Sequence, residues 1–140
     1  MAIDRIDWHY GGNFPKELPN ENSGTHIGVY LAWIIINNLQ GKLHDEDSLE
    51  ALQDVKNRKI TGRDFLIEQC DEKFWEEDLN AEGFVFTEFY YHEKYFEDYE
   101  NILEENLPSI YHVENTWENY DRIAPIIDQR YKKWKEANKN

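Results

Sequence analysis

The chain has 140 residues and a formal net charge of −14, with 29 Asp and Glu against 15 Lys and Arg. This balance, with a pI of about 4.7, argues against a direct nucleic-acid binder, because contact with phosphates needs clustered Lys and Arg. A hydrophobic content of 40% with 15% aromatic residues excludes a disordered acidic tail and predicts one folded domain over residues 1–140.

Residues 1–24 carry Gly11, Gly12, Gly24, Pro15 and Pro19 and show no sustained period, which predicts an irregular N-terminal arm. Ile3, Ile6, Trp8, Tyr10, Phe14 and Leu18 predict that this arm packs on the body, and Asp7 to Tyr10 read as a short extended piece. Residues 25–39 predict a helix, with Ser23 or Thr25 as cap and Gly41 as stop signal. Apolar residues cover most of its sides, as in a central helix, while the β-branched run Ile34, Ile35, Ile36 keeps a strand as the alternative. Residues 48–56 predict a second helix. A third begins at Thr61, whose spacing to Asp64 is that of a capping box. Residues 72–79 read as a fourth, short helical turn.

Two helices are expected across the aromatic stretch that follows, broken near Tyr91 to Lys94 and ended by Pro108. Ile110 to Val113 read as an extended link. Asn115 or Thr116 caps a last helix in which Trp117, Tyr120, Ala124, Ile127, Tyr131 and Trp134 recur in steps of three and four. Pro125 inside it predicts a kink or two segments. The fold class expected is all-α, a compact domain of about five to six helices with an ordered arm. The longest apolar run, Val29 to Ile36, is well short of the ~20 residues that span a bilayer. No secretion signal is visible, and the single cysteine, Cys70, reads as a buried, inert thiol. Both fit a cytoplasmic protein.

Charge is local in this chain. Between Asp71 and Asp121 there are sixteen acidic residues and two basic ones, Lys73 and Lys94, so the net charge resides in that segment. Helical carboxylates are ordinarily balanced by lysines one turn away, and like charges cost a few tenths of a kcal/mol per pair. Here the lysines are missing, which points to a face for a basic partner. The residues assigned to it are Glu76, Glu77, Asp78, Glu93, Glu97, Asp98, Glu100, Glu104 and Glu105, with Tyr91 and Tyr95 supplying apolar contact area. Core packing competes for the tyrosines of this stretch, Tyr90 and Tyr99 included.

Chemistry has fewer candidates. Asp7 and His9 would share one side of an extended strand, and His26 would complete a carboxylate and two-imidazole metal set. No HExxH or CxxC pattern accompanies it. Cys70 has no nearby histidine in sequence, and Gly11-Gly12-Asn13 lacks the Lys-Ser/Thr pair of a phosphate loop and reads as a turn. No cofactor is implied.

The segments DWHYGGNFP (residues 7–15), LPNEN (18–22), GTHIG (24–28), LAW (31–33) and YHVENTWENYD (111–121) resemble an uncharacterised bacterial family, over nearly the whole chain. Its members are similar in size and charge to small cytoplasmic immunity proteins that neutralise interbacterial toxins. The resemblance implies that the arm and first helix are a shared framework, and it leaves the acidic segment for partner-specific residues. The function expected is therefore that of a monomeric, non-enzymatic immunity protein. Its partner would be a basic toxin domain of the nuclease type, not nucleic acid or membrane. A nucleic-acid mimic that inhibits a nuclease, a small metal-dependent hydrolase using Asp7, His9 and His26, and a self-pairing structural domain are the alternatives.

Overall fold

The apolar run from Val29 onward is helical, and it is the axis of the molecule. A computed structural model describes residues 2–138. In chain order the elements are β1 (Ala2–Arg5), α1 (Thr25–Ile36), α2 (Lys42–Asp47), α3 (Leu49–Lys56), α4 (Gly62–Gln69), β2 (Lys73–Trp75), α5 (Ala81–Tyr90), α6 (Phe96–Leu103) and α7 (Trp117–Ala137). A π-helical turn at Tyr91–Tyr95 joins α5 to α6 without a break, so these seven helices form six rods. The all-α class is as expected; β1 and β2 add one small antiparallel sheet.

Every residue of α1 except Ile36 is buried. A helix apolar all round has to be enclosed on all sides, and here the other rods enclose it. It meets α4 most closely at Gly28 and Gly62, where a Cβ on either glycine would overlap the backbone of the other helix. The helix begins from a 3-10 turn, Asn20–Gly24, rather than from a side-chain cap. Thr25 instead accepts from Arg63 Nη1 at 3.1 Å. It ends at Ile36, because Asn38 turns into the left-handed region at φ 59°. Gly41 is thus not its stop signal but the residue before α2, pressed against the Glu77 carbonyl.

Other local rules hold as written. Thr61 and Asp64 form the reciprocal capping box of α4, and Thr116 caps α7 by accepting from the Asn119 amide. Further expectations are overturned, and the helix expected to run to Pro108 ends at Leu103. Residues 72–79 form β2 and a 3-10 turn, Glu76–Asp78, because Asp71 and Glu72 both take positive φ (54° and 65°) and redirect the chain after α4. Asp7 to Tyr10 are not extended: the strand is β1, and Ile6–Trp8 is a 3-10 turn. The link near Ile110 is likewise a 3-10 turn. The arm is anchored by Ile3 and Ile6, while Trp8 remains 58% exposed.

The last helix passes through Pro125 as a single 21-residue element. Proline removes one helical hydrogen bond and crowds the carbonyl four residues before it. The buried stripe of Tyr120, Ile123 and Ile127 holds the helix together across that defect. Pro125 is exposed, so Pro125→Ala is expected to raise stability by about 1–2 kcal/mol, read as a higher urea midpoint with unchanged slope.

Candidate functional site

The rod formed by α5, the π turn and α6 divides the acidic segment into two sides. Tyr90, Tyr91, Tyr95 and Tyr99 point inward and are buried. They surround Tyr30 and Phe74 in a ring of aromatic contacts with centroids 4.9–6.3 Å apart. Four hydroxyls find partners inside, Tyr30 with Thr87 (2.8 Å), Tyr90 to Asp98 (2.7 Å), Tyr91 to Asp4 (2.7 Å) and Tyr95 to the His26 carbonyl (2.5 Å), while the buried Tyr99 hydroxyl has no hydrogen-bond partner among the described residues. Tyr91 and Tyr95 therefore belong to the core and not to a binding face. Burial pushes both phenols well above their ordinary pKa, which keeps them as neutral donors.

Asp78 and Asp98 are also core residues, contrary to the assignment made from charge alone. Asp98 accepts two hydrogen bonds from Arg130, at 2.9 and 3.0 Å, in addition to that from Tyr90. Asp78 accepts from the Trp75 amide and bonds His44, both at 2.7 Å. Sequence periodicity does not reveal such pairing, because His44 and Arg130 lie 34 and 32 residues away. What remains outside is a single stripe along the rod. Glu88, Glu93, Glu97, Glu100 and Glu105 are exposed on it and Glu104 half-buried, with Phe89 and Val85, 50% and 54% exposed, among them. Among the described residues no lysine or arginine forms an ion pair with Glu93, Glu97, Glu100, Glu104 or Glu105. Lys94, the one basic side chain in the stripe, sits over the Phe89 ring at 4.6 Å. Glu76 and Glu77 are exposed on the 3-10 turn after β2.

The histidine set is assembled around a different carboxylate from the one expected. Asp7 is exposed in the 3-10 turn that follows β1 and pairs with Arg5 at 2.7 Å. His9 and His26 converge instead on Asp4, with Nε2 atoms at 2.6 and 3.2 Å from its two oxygens. Tyr91 and the Arg5 amide donate to the same carboxylate, and His9 Nδ1 contacts the Tyr111 hydroxyl at 2.9 Å. Four donors thus occupy a buried carboxylate whose two oxygens have about four acceptor positions. Burial by itself raises the Asp4 pKa, but the hydrogen bonds of His26 and His9 lead the effects that outweigh it and hold the carboxyl well below its usual range. Burial also lowers the His26 pKa, with Asp4 offsetting only part of the effect. His26 is neutral in this arrangement: Nε2–H donates to Asp4, and the buried Nδ1, which has no partner, carries a lone pair rather than a proton.

A surface groove of about 610 Å³ lies at the end of α7 between Glu82, Tyr131, Trp134 and Lys135, and no histidine lines it. No helix among the described residues is long and apolar enough to cross a membrane. In comparison with known sequences, residues 2–113 match the family described as Domain of unknown function (DUF7832). No curated protein and no solved structure matches the chain.

Proposed function

The chain belongs to the DUF7832 family, and from that premise we propose that it is a non-enzymatic immunity protein that binds and occludes a basic toxin domain of the nuclease type in the cytoplasm, acting as a monomer. The observation that carries this reading is the unpaired carboxylate stripe on the α5–α6 rod, Glu93, Glu97, Glu100, Glu104 and Glu105. Carboxylates crowded together without ion-pair partners raise the energy of the free protein and are relieved when a cationic surface covers them. A nuclease presents such a surface, since it holds a phosphate backbone. The apolar contact area falls to Phe89 and Val85, the exposed side chains of the same stripe, in place of Tyr91 and Tyr95. The buried tyrosine ring beneath holds the backbone of the rod in place, so backbone ordering adds little to the entropy lost on binding.

The test is capture of partners on the tagged protein from its own organism's lysate at low and high salt, followed by mass spectrometry. The expected partner is basic and weakened by salt. Reversal of Glu93, Glu97, Glu100 and Glu105 to Lys is expected to slow its association by about tenfold or more while leaving the fold intact. A partner indifferent to both salt and these reversals would overturn the reading.

A further inference from the structure

We propose that His44, Cys70 and Asp78 form a binding site for a zinc-class divalent cation, set beneath α2 and independent of the acidic stripe. The three side chains come from separate parts of the chain: His44 from α2, Cys70 from the end of α4 and Asp78 from the turn after β2. All three are buried. Their ligand atoms form a small triangle, with His44 Nε2 to Asp78 Oδ1 at 2.7 Å, Cys70 Sγ to Asp78 Oδ1 at 3.7 Å and Cys70 Sγ to His44 Nε2 at 3.9 Å. Tetrahedral zinc with ordinary bond lengths places such atoms roughly 3.3–3.6 Å apart. Opening the short His44–Asp78 edge by roughly 0.6 Å, with the two sulfur edges closing by a few tenths of an ångström, converts this triangle into one face of that tetrahedron.

The outer contacts match those of ligating groups. His44 Nδ1 is backed by Ser48 Oγ at 3.4 Å, and the other Asp78 oxygen is held by the Trp75 amide. The set combines imidazole, thiol and carboxylate, which suits zinc better than magnesium or calcium. On binding, the Cys70 S–H bond breaks, the thiolate sulfur bonds the metal and that proton leaves to solvent, while His44 gives up the Nε2 proton it shares with Asp78 and carries its proton on Nδ1, facing Ser48 Oγ, so that the Nε2 lone pair bonds the metal. The second histidine set, around Asp4, differs in both respects. Its carboxylate is already filled by four donors, and His26 Nδ1 has no acceptor behind it for the proton that metal ligation at Nε2 would require.

The chain stripped of metal under reducing conditions is titrated with cobalt(II), then with zinc(II). An equimolar, saturable site with a tetrahedral cobalt spectrum and a thiolate-to-cobalt charge-transfer band is expected, with zinc displacing the cobalt and raising the melting temperature. Cys70→Ser is expected to abolish the charge-transfer band and His44→Gln to weaken zinc by about tenfold or more, each with the far-UV spectrum of the parent. The wild-type spectrum decides the matter even if a variant fails to fold: an octahedral spectrum without the thiolate band, or no saturable binding, overturns the proposal. Binding that survives Cys70→Ser but is lost in His9→Gln would do the same, by placing the metal at Asp4.

Discussion

Replacing Gly62 with alanine is expected to lower stability by more than about 3 kcal/mol, the range of overpacked cores and disrupted backbone contacts. A Cβ at this position would lie on the Gly28 carbonyl oxygen and against the Ala32 methyl. Neither obstacle is the far end of a flexible side chain, so relief requires α1 and α4 to separate as bodies. That separation loosens the contacts of the helix on which the whole core is built. Gly28→Ala meets the Arg63 backbone in the same way and is expected to act similarly. Gly11→Ala is the control, since nothing lies within 4 Å of a Cβ there. Urea unfolding distinguishes these outcomes: a Gly62→Ala midpoint close to that of Gly11→Ala would show that the two helices have room to spare.

Loss of the Asp4 carboxylate is expected to have an effect of the same order. Asp4→Ala leaves His9, His26, Tyr91 and the Arg5 amide without their common acceptor, and removal of one partner from a buried charged network costs about 3–5 kcal/mol. Asp4→Asn keeps the shape but sets an amide donor against donors, so it is expected to recover little. Two signs follow for pH. His26 has a lowered pKa in the fold, so between the unfolded value near 6.5 and lower pH the unfolded chain takes the proton first. Stability from this group is present above that value and falls as the pH drops, by at most about 1.4 kcal/mol per pH unit. Asp4 is lowered as well, so its contribution is present above the unfolded value of about 3.9 and is lost on further acidification towards its own lowered pKa. His26→Gln is expected to flatten the stability profile just below about pH 6.5; an unchanged slope there would show that the imidazole is not held neutral.

Where the charge sits and where it is buried are decided by different physics. Sequence alone determined the all-α class, the enclosure of the helix from Thr25, the helix start at Thr61 and, to within one residue, that at Thr116, and the place of the net charge between Asp71 and Asp121. Those features rest on composition and on spacings of two to four residues, which act within a helical turn. Only the tertiary structure decided which carboxylates of that segment are free. Asp78 and Asp98 carry the same formal charge as Glu97 and Glu100, yet His44, Arg130 and Tyr90 draw the first two inside from distant positions. It likewise gave Asp4 rather than Asp7 to the histidines, because Asp4 lies buried in β1 while Asp7 falls in the 3-10 turn after it and pairs with Arg5, and it brought Cys70 to His44 across 26 residues. Pairings of this kind form because a buried charge must be compensated wherever the packed helices happen to place a partner, and no local period in the chain records that place.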